Sequence, residues 1–173
     1  MPIQIGERIP EVVLQRLTDD GVQQVDTHAI FEGKNVLLFA VPGAFTPTCS
    51  ERHLPGYVEQ HARFAERGIV VACMSVNDPF VMKAWGQSQS APDAVLLLAD
   101  GNGDFTRALG LQMDASAFGM GQRSKRFALY AENGIVKDLQ VEAPGELRVS
   151  SAEAMLERMP QSATIIPTEG DDP

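Results

Sequence analysis

The sequence predicts an α/β protein in which a central mixed β-sheet carries helices on both faces and a β-hairpin at its N-terminal end. Three observations predict it. Short, nearly all-apolar runs recur at residues 35–41, 69–76 and 95–99, as expected of parallel strands covered on both sides. Stretches with helical periodicity fill the intervals, so strand and helix alternate. Asp-Gly and Asn-Gly pairs mark hairpin turns near the two ends of the chain.

Residues 11–17 and 22–25 flank Thr18-Asp19-Asp20-Gly21, whose Asp-Gly pair supplies the left-handed backbone a tight hairpin needs. The buried run Asn35–Val41 comes next and hands over to Pro42-Gly43-Ala44-Phe45-Thr46-Pro47-Thr48-Cys49. Beyond this loop Leu54, Tyr57, Val58, His61, Ala62 and Ala65 recur at helical spacing, and Gly68 supplies a stop. Pro55 complicates that helix, because a proline inside it removes one hydrogen bond and clashes with the preceding turn. Either the helix begins near Leu54 or it is kinked there. Residues 69–76 form a second buried strand. Asp78 then suits an N-cap and Pro79 the first position of a helix over residues 80–88.

Residues 95–99 are a third strand, and Asp104 is expected to cap a short helix that ends at Leu109 before Gly110. The polar, glycine-bearing residues 112–124 read as a long loop. Residues 126–131 and 135–141 flank Glu132-Asn133-Gly134, a second hairpin. Ser150-Ser151-Ala152-Glu153 has capping-box spacing ahead of Met155, Leu156 and Met159. Residues 1–160 thus read as one domain, and the polar, acidic residues 161–173 as a flexible tail. With right-handed crossovers, the order hairpin, β, α, β, α, β, α, hairpin, α is a thioredoxin-like architecture.

A length of 173 residues suits a single domain, and 44% hydrophobic with 21% charged residues is a soluble globular composition. No apolar run approaches the roughly 18 residues of a membrane span, and the first eight residues lack the basic start and apolar core of a secretory signal. The expectation is a cytoplasmic protein without a membrane partner. The net charge of −9, from 23 acidic and 14 basic residues, leaves no dominant basic patch and argues against a nucleic-acid partner. Two cysteines, Cys49 and Cys73, do not make a disulfide scaffold, which leaves redox chemistry, catalysis or simple burial.

Cys49 is the candidate nucleophile. A cysteine in the first turn of a helix faces unpaired N–H groups and the positive end of the dipole, and both favour thiolate. A helix starting only at Leu54 would leave the sulfur outside that influence, so spacing alone also permits an inert, buried thiol. Thr46 lies three residues earlier and can set a hydroxyl beside the sulfur, while Pro42 and Pro47 restrict the loop. Cys73, in the middle of an apolar strand, reads first as a small buried hydrophobe. His53, four residues after Cys49, shares its helix face, but two ligands without a third make no metal site, and no metal or other cofactor is expected. His53 is instead expected to hydrogen-bond near that helix or at a dimer contact. Trp85, at helical spacing with Val81 and Ala84, reads as core.

Pro42, Thr46 and Cys49 reproduce the Pro-x-x-x-Thr-x-x-Cys active-site signature of peroxiredoxins. Residues 41–50, His53-Leu54-Pro55-Gly56, Ser75-Val76-Asn77-Asp78, Ala84-Trp85-Gly86 and Lys125-Arg126-Phe127 resemble, in this order over nearly the whole chain, the peroxiredoxin 5 branch that includes the plant type II enzymes. The resemblance implies the thioredoxin-like fold and a thiol-dependent peroxidase of hydrogen peroxide and small alkyl hydroperoxides. It implies that Cys49 is the peroxidatic cysteine, in the first turn of a helix kinked at Pro55. It further implies Arg126 as the guanidinium beside the sulfur, Thr46 as the hydroxyl that orients peroxide and Pro42 as the shield of the pocket. Arg126, the Thr46 hydroxyl and the Cys49 backbone N–H would be donors to the reacting oxygens. Spacing alone does not single out Arg126, which beside Arg123 and Lys125 reads as a solvated strand-edge charge.

By the same resemblance Gly43, Phe45, Trp85 and Phe118 are expected around the substrate pocket, with Phe118, Gly119 and Met120 at its rim or in a homodimer contact. The sulfenic acid formed on Cys49 must be reduced by a thiol. Glutathione with glutaredoxin is the expected reductant, ahead of thioredoxin. The plant type II enzymes have a cysteine at the position of Cys73, which makes it a candidate resolving residue, although a Cys49–Cys73 disulfide needs Cα atoms within about 7 Å. Another relative places its resolving cysteine near the C-terminal helix, where this chain has Val149-Ser150-Ser151. A different class of function, a redox-responsive interaction protein sensing peroxide through Cys49, shares the same chemistry. A dithiol-disulfide reductase is disfavoured by the lack of a Cys-x-x-Cys pair.

Overall fold

A computed structural model describes residues 1–160, with Cys49 described by its backbone; the expected tail lies outside the described residues. Strands β1 (Val13–Thr18) and β2 (Gly21–Asp26) form the N-terminal hairpin, with Thr18 opposite Gly21 and a φ of 107° at Gly21 that suits only glycine. A five-residue helix α1 (Thr27–Phe31), absent from the sequence reading, follows at once. The Asp26 carboxylate caps it by accepting from the His28 N–H at 2.8 Å.

Strand β3 (Asn35–Val41) is buried throughout and pairs in parallel with β4 (Ile69–Ser75), which pairs in parallel with β5 (Val95–Ala99). On its other side β3 pairs antiparallel with β8 (Phe127–Glu132), whose hairpin partner is β9 (Ile135–Val141). Asn133 and Gly134 turn that hairpin with φ of 50° and 78°, the left-handed pair expected of Asn-Gly. The seven strands lie in the order β2-β1-β5-β4-β3-β8-β9, a parallel centre edged by two antiparallel hairpins.

Alternation along β3 and β4 sorts the core into two faces. Leu37, Phe39, Val41, Val71 and Cys73 pack against α2 (Leu54–Glu66), α3 (Pro79–Ser88) and α5 (Ala152–Arg158). Val36, Leu38, Ala40, Ala72 and Met74 pack against α1, α4 (Asp104–Leu109) and Ile3 and Ile9 of the N-terminal segment. Among the described residues no helix is long and apolar enough to cross a membrane.

Caps follow the sequence at α3, where the Asp78 carboxylate accepts from the Val81 N–H at 2.8 Å. They depart from it twice. At α4 the capping position is Gly103, in a left-handed conformation, and Asp104 is already helical. The carboxylate that closes the helix start belongs to buried Asp100, which accepts from the N–H groups of Phe105 at 3.1 Å and Thr106 at 2.8 Å. At α5 the cap is Ser151 rather than Ser150, accepting from Ala154 at 3.2 Å. Ser150 is thereby released for another task. Residues 112–124 are also not a plain loop. Strands β6 (Gln112–Asp114) and β7 (Gln122–Ser124) pair as a small ribbon around a 3₁₀ turn, Ser116–Phe118.

Candidate active site

The end of β3 delivers the chain to Pro42, and four short-range devices shape the loop that follows. Thr46 Oγ1 donates to the Gly43 carbonyl at 2.6 Å, and the Ser50 N–H donates to the Thr46 carbonyl at 2.9 Å. Asn77, just past β4, accepts at Oδ1 from both the Ala44 N–H at 3.0 Å and the Ser75 hydroxyl at 2.6 Å, which ties the loop to the C-terminal edge of the parallel strands. Phe45 holds a φ of 63°, a costly left-handed conformation for a bulky residue, and is 55% exposed.

Helical backbone begins at Pro47, so Cys49 lies in the first turn and the alternative start at Leu54 is ruled out. The helix does not run regularly from there. Cys49–His53 is a π-helical turn that passes directly into α2. Pro55 accounts for it: its ring has no N–H to give the carbonyl four residues back and would clash with that carbonyl in a regular α-helix, whereas the wider turn moves it aside. The kink expected at Pro55 is thus a widened turn just before it.

His53 closes this turn and is buried. Its Nε2 lies 3.0 Å from the Ser150 carbonyl, which can only accept, so Nε2 carries the proton and Nδ1 is an acceptor. Arg126, one residue before β8 and beside the end of β3, fills that acceptor with Nη1 at 2.8 Å. Burial, and then the guanidinium beside it, push the His53 imidazole down to about 3. With both ring nitrogens engaged, His53 has no lone pair for a metal. Phe39, stacked on Tyr57 at 4.0 Å between centroids, backs the imidazole at 4.9 Å.

A family model described as Redoxin matches residues 4–156. The chain is 45% identical over 160 residues to Peroxiredoxin-2C of Arabidopsis thaliana, covering 91% of this chain and 99% of the relative. It is 46% identical to the chloroplastic Peroxiredoxin-2E-2 of Oryza sativa subsp. japonica, over 91% of this chain and 72% of the relative. Reduced Prx3 of Vibrio vulnificus, solved in complex with hydrogen peroxide, superposes with a TM-score of 0.87 at 49% identity, over 90% of this chain and 98% of that one. This chain belongs to the peroxiredoxins. Within them it falls in the type II branch, and it is a thiol-dependent peroxidase with the thioredoxin fold.

The other expected pocket residues of this peroxiredoxin take distinct places. Gly43 is buried, and a Cβ there would come within 3.0 Å of both Arg123 Nη1 and Met120 Cε, so glycine is what lets residues 120–123 close on the loop. Arg123 donates through Nε to the Met120 carbonyl at 2.9 Å and through Nη1 to the Pro42 carbonyl at 3.4 Å. Phe118 is 80% exposed on the ribbon. Trp85 is fully buried in the core beneath the Cys49 turn, where its indole N–H donates to Ser50 Oγ at 2.9 Å. It braces that turn from behind. Cys73 is buried in mid-strand, opposite Phe39 of β3 and Leu97 of β5.

Sequence reasoning missed three members of this arrangement. Arg123 had been weighed only as a surface charge, yet it clasps the Pro42 loop. The pairing of His53 with Arg126 joins residues far apart in sequence, and no local signal announces it. Glu142, unremarkable in the sequence, is buried and accepts four hydrogen-bond donors from residues 148–150. Among the described residues no group of three or more His, Cys, Asp or Glu side chains converges as a metal site.

Proposed function

We propose that Cys49 is the peroxidatic nucleophile, reducing hydrogen peroxide and small alkyl hydroperoxides to water or alcohols. The observation that carries this reading is Arg126: its guanidinium is anchored on His53, at the other end of the π-helical turn that begins at Cys49. The position of Cys49 in the first turn of that helix also favours its thiolate. The thiolate attacks one peroxide oxygen in line with the O–O bond. An S–O bond forms and the O–O bond breaks, with its electron pair leaving on the second oxygen as hydroxide or alkoxide, which takes up a proton. Cys49 is left as a sulfenic acid. Negative charge builds on the departing oxygen, so a guanidinium oriented in advance lowers the barrier more than mobile water would.

Thr46 takes a different part from the donor first expected. Its hydroxyl proton is engaged by the Gly43 carbonyl, so toward substrate the oxygen offers a lone pair. It would accept from the O–H of the peroxide and orient the O–O bond, while Arg126 and the Cys49 N–H donate. Pro42, at the end of β3, would shield the sulfur from water.

Recycling would use an external thiol, glutathione with glutaredoxin ahead of thioredoxin. What supports this is Cys73, which sits in the middle of a central strand and could pair with Cys49 only if local structure opened wherever their Cα atoms stand farther apart than about 7 Å. A homodimer packed through loops near the site is the proposed assembly, supported by the exposure of Phe45 and Phe118 on two of those loops. The proposed location is the cytoplasm. Stopped-flow peroxide consumption by wild type, Cys49→Ser and Arg126→Ala, with glutaredoxin and thioredoxin systems compared, tests the reading. Activity should vanish in Cys49→Ser and fall steeply in Arg126→Ala; an active Cys49→Ser enzyme would overturn it.

A further inference from the structure

A guanidinium on a long side chain has many rotamers, and an electrostatic catalyst works only if its direction is set before the reaction. Arg126 is held from both ends by one residue. The Glu142 backbone N–H donates to the Arg126 carbonyl at 2.9 Å, fixing the strand end from which the side chain departs. The Glu142 carboxylate reaches the turn before α5, where Oε2 accepts from the N–H groups of Arg148 at 2.9 Å, Val149 at 2.9 Å and Ser150 at 2.8 Å, and from the Ser150 hydroxyl at 2.6 Å. Three successive N–H groups converging on one carboxylate oxygen form an anion nest. That nest fixes the Ser150 carbonyl, which accepts from the Tyr57 hydroxyl at 2.7 Å and from His53 Nε2 at 3.0 Å. His53 Nδ1 then receives Arg126 Nη1.

We propose that His53 and Glu142 are positioning residues for the peroxide reaction, Glu142 fixing the Ser150 carbonyl, Ser150 fixing the His53 ring, and His53 aiming the Arg126 guanidinium. The proposal rests on the assignment of Cys49 and Arg126 above. The chemistry of the partner matters. A carboxylate in place of His53 would grip the guanidinium more tightly, but its charge would cancel much of the field available to a thiolate and a departing oxyanion. A neutral imidazole orients the guanidinium and leaves its charge intact. Burial of His53 and the adjacent guanidinium keep the ring neutral at the pH where the enzyme works. The Ser150 carbonyl selects the tautomer whose Nδ1 can accept.

The test uses the full chain with His53→Leu, His53→Asn, Glu142→Ala and Glu142→Gln, and with His53→Leu in an Arg126→Ala background. Three quantities are read: the single-turnover rate constant of Cys49 with hydrogen peroxide, the rate of Cys49 alkylation by iodoacetamide at about pH 9.5, where an ordinary thiol is ionised, and the thermal midpoint. Alkylation needs no oxyanion stabilisation, so it separates aim from nucleophile exposure. His53→Leu and Glu142→Ala should slow the peroxide step about 10- to 100-fold while alkylation changes less than about threefold. His53→Asn, with an acceptor and a donor, should recover most of the loss. In the Arg126→Ala background His53→Leu should add less than about twofold, because the two act through one guanidinium. Where Glu142→Ala does not fold, Glu142→Gln carries the comparison, with a smaller loss in the same direction. A folded His53→Leu with an unchanged peroxide rate, a loss shared equally by alkylation, or a full loss persisting without Arg126 would overturn the positioning role. A wild type that consumes no peroxide would overturn the underlying assignment instead.

Discussion

The Arg126 guanidinium is paired with a histidine that bears no charge: Nη1 stands 2.8 Å from His53 Nδ1, and burial with that guanidinium lowers the imidazole to about 3. The unfolded chain has no such constraint, and its histidine titrates near 6.5. Between those values the unfolded state holds a proton that the folded state lacks, so stability is fully present above about pH 6.5 and is lost as pH falls toward 3. Urea denaturation at pH 7 and pH 4.5 should show wild type losing roughly 2–3 kcal/mol more than His53→Asn over that interval. Equal pH dependence in the two proteins would contradict a buried, neutral His53.

Thr46 separates geometry from substrate contact. Thr46→Ser keeps the hydroxyl that bonds the Gly43 carbonyl and should retain most of the peroxidase rate. Thr46→Val removes both that bond and the lone pair facing the substrate, and should slow the peroxide step by about 100-fold. Stopped-flow oxidation checks the pair, and equal rates in the two variants would remove Thr46 from the mechanism.

Cys73→Ala should leave turnover with glutathione and glutaredoxin intact, since the proposed recycling uses no second cysteine of the chain. It should cost about 1–2 kcal/mol of stability for the atoms lost from a packed strand. Loss of turnover in a stable, peroxide-reactive Cys73→Ala enzyme would make Cys73 an obligatory resolving residue.

Trp85→Phe keeps most of the buried ring and deletes the N–H that reaches Ser50 Oγ. About 1–2 kcal/mol of stability should be lost. Combining it with Ser50→Ala should cost less than the sum of the two single changes, by thermal or chemical denaturation. Strict additivity would show that the 2.9 Å contact contributes nothing.

Those elements whose pattern was local were legible in the sequence. Asn35–Val41 and Val95–Ala99 are strands because no surface position interrupts their apolar runs, and Asn133-Gly134 could only turn. The ribbon of Gln112–Asp114 and Gln122–Ser124 escaped because three polar residues carry no periodicity, and α1 because five residues are too few to show one. Asp104 and Ser150 were each mistaken for caps that Asp100 and Ser151 modulate or supply, since capping depends on where the chain bends within a residue or two. At the site, Pro42, Thr46 and Cys49 are contiguous enough to be recognised as a signature. Arg126, His53, Ser150 and Glu142 come from three separate parts of the chain, and only the sheet register and the turn before α5 bring them together.

The widened turn at Cys49–His53 also divides the helix into two mechanical parts. Leu54, Tyr57 and Phe64 of α2 are sunk in the core, while the turn ahead of them hangs on longer-range backbone bonds and on Trp85 and Arg126. The first residues can therefore unwind alone, exposing an oxidised Cys49 to a reductant without undocking the rest. Amide exchange should record that seam, with residues 49–53 opening well before residues 57–66.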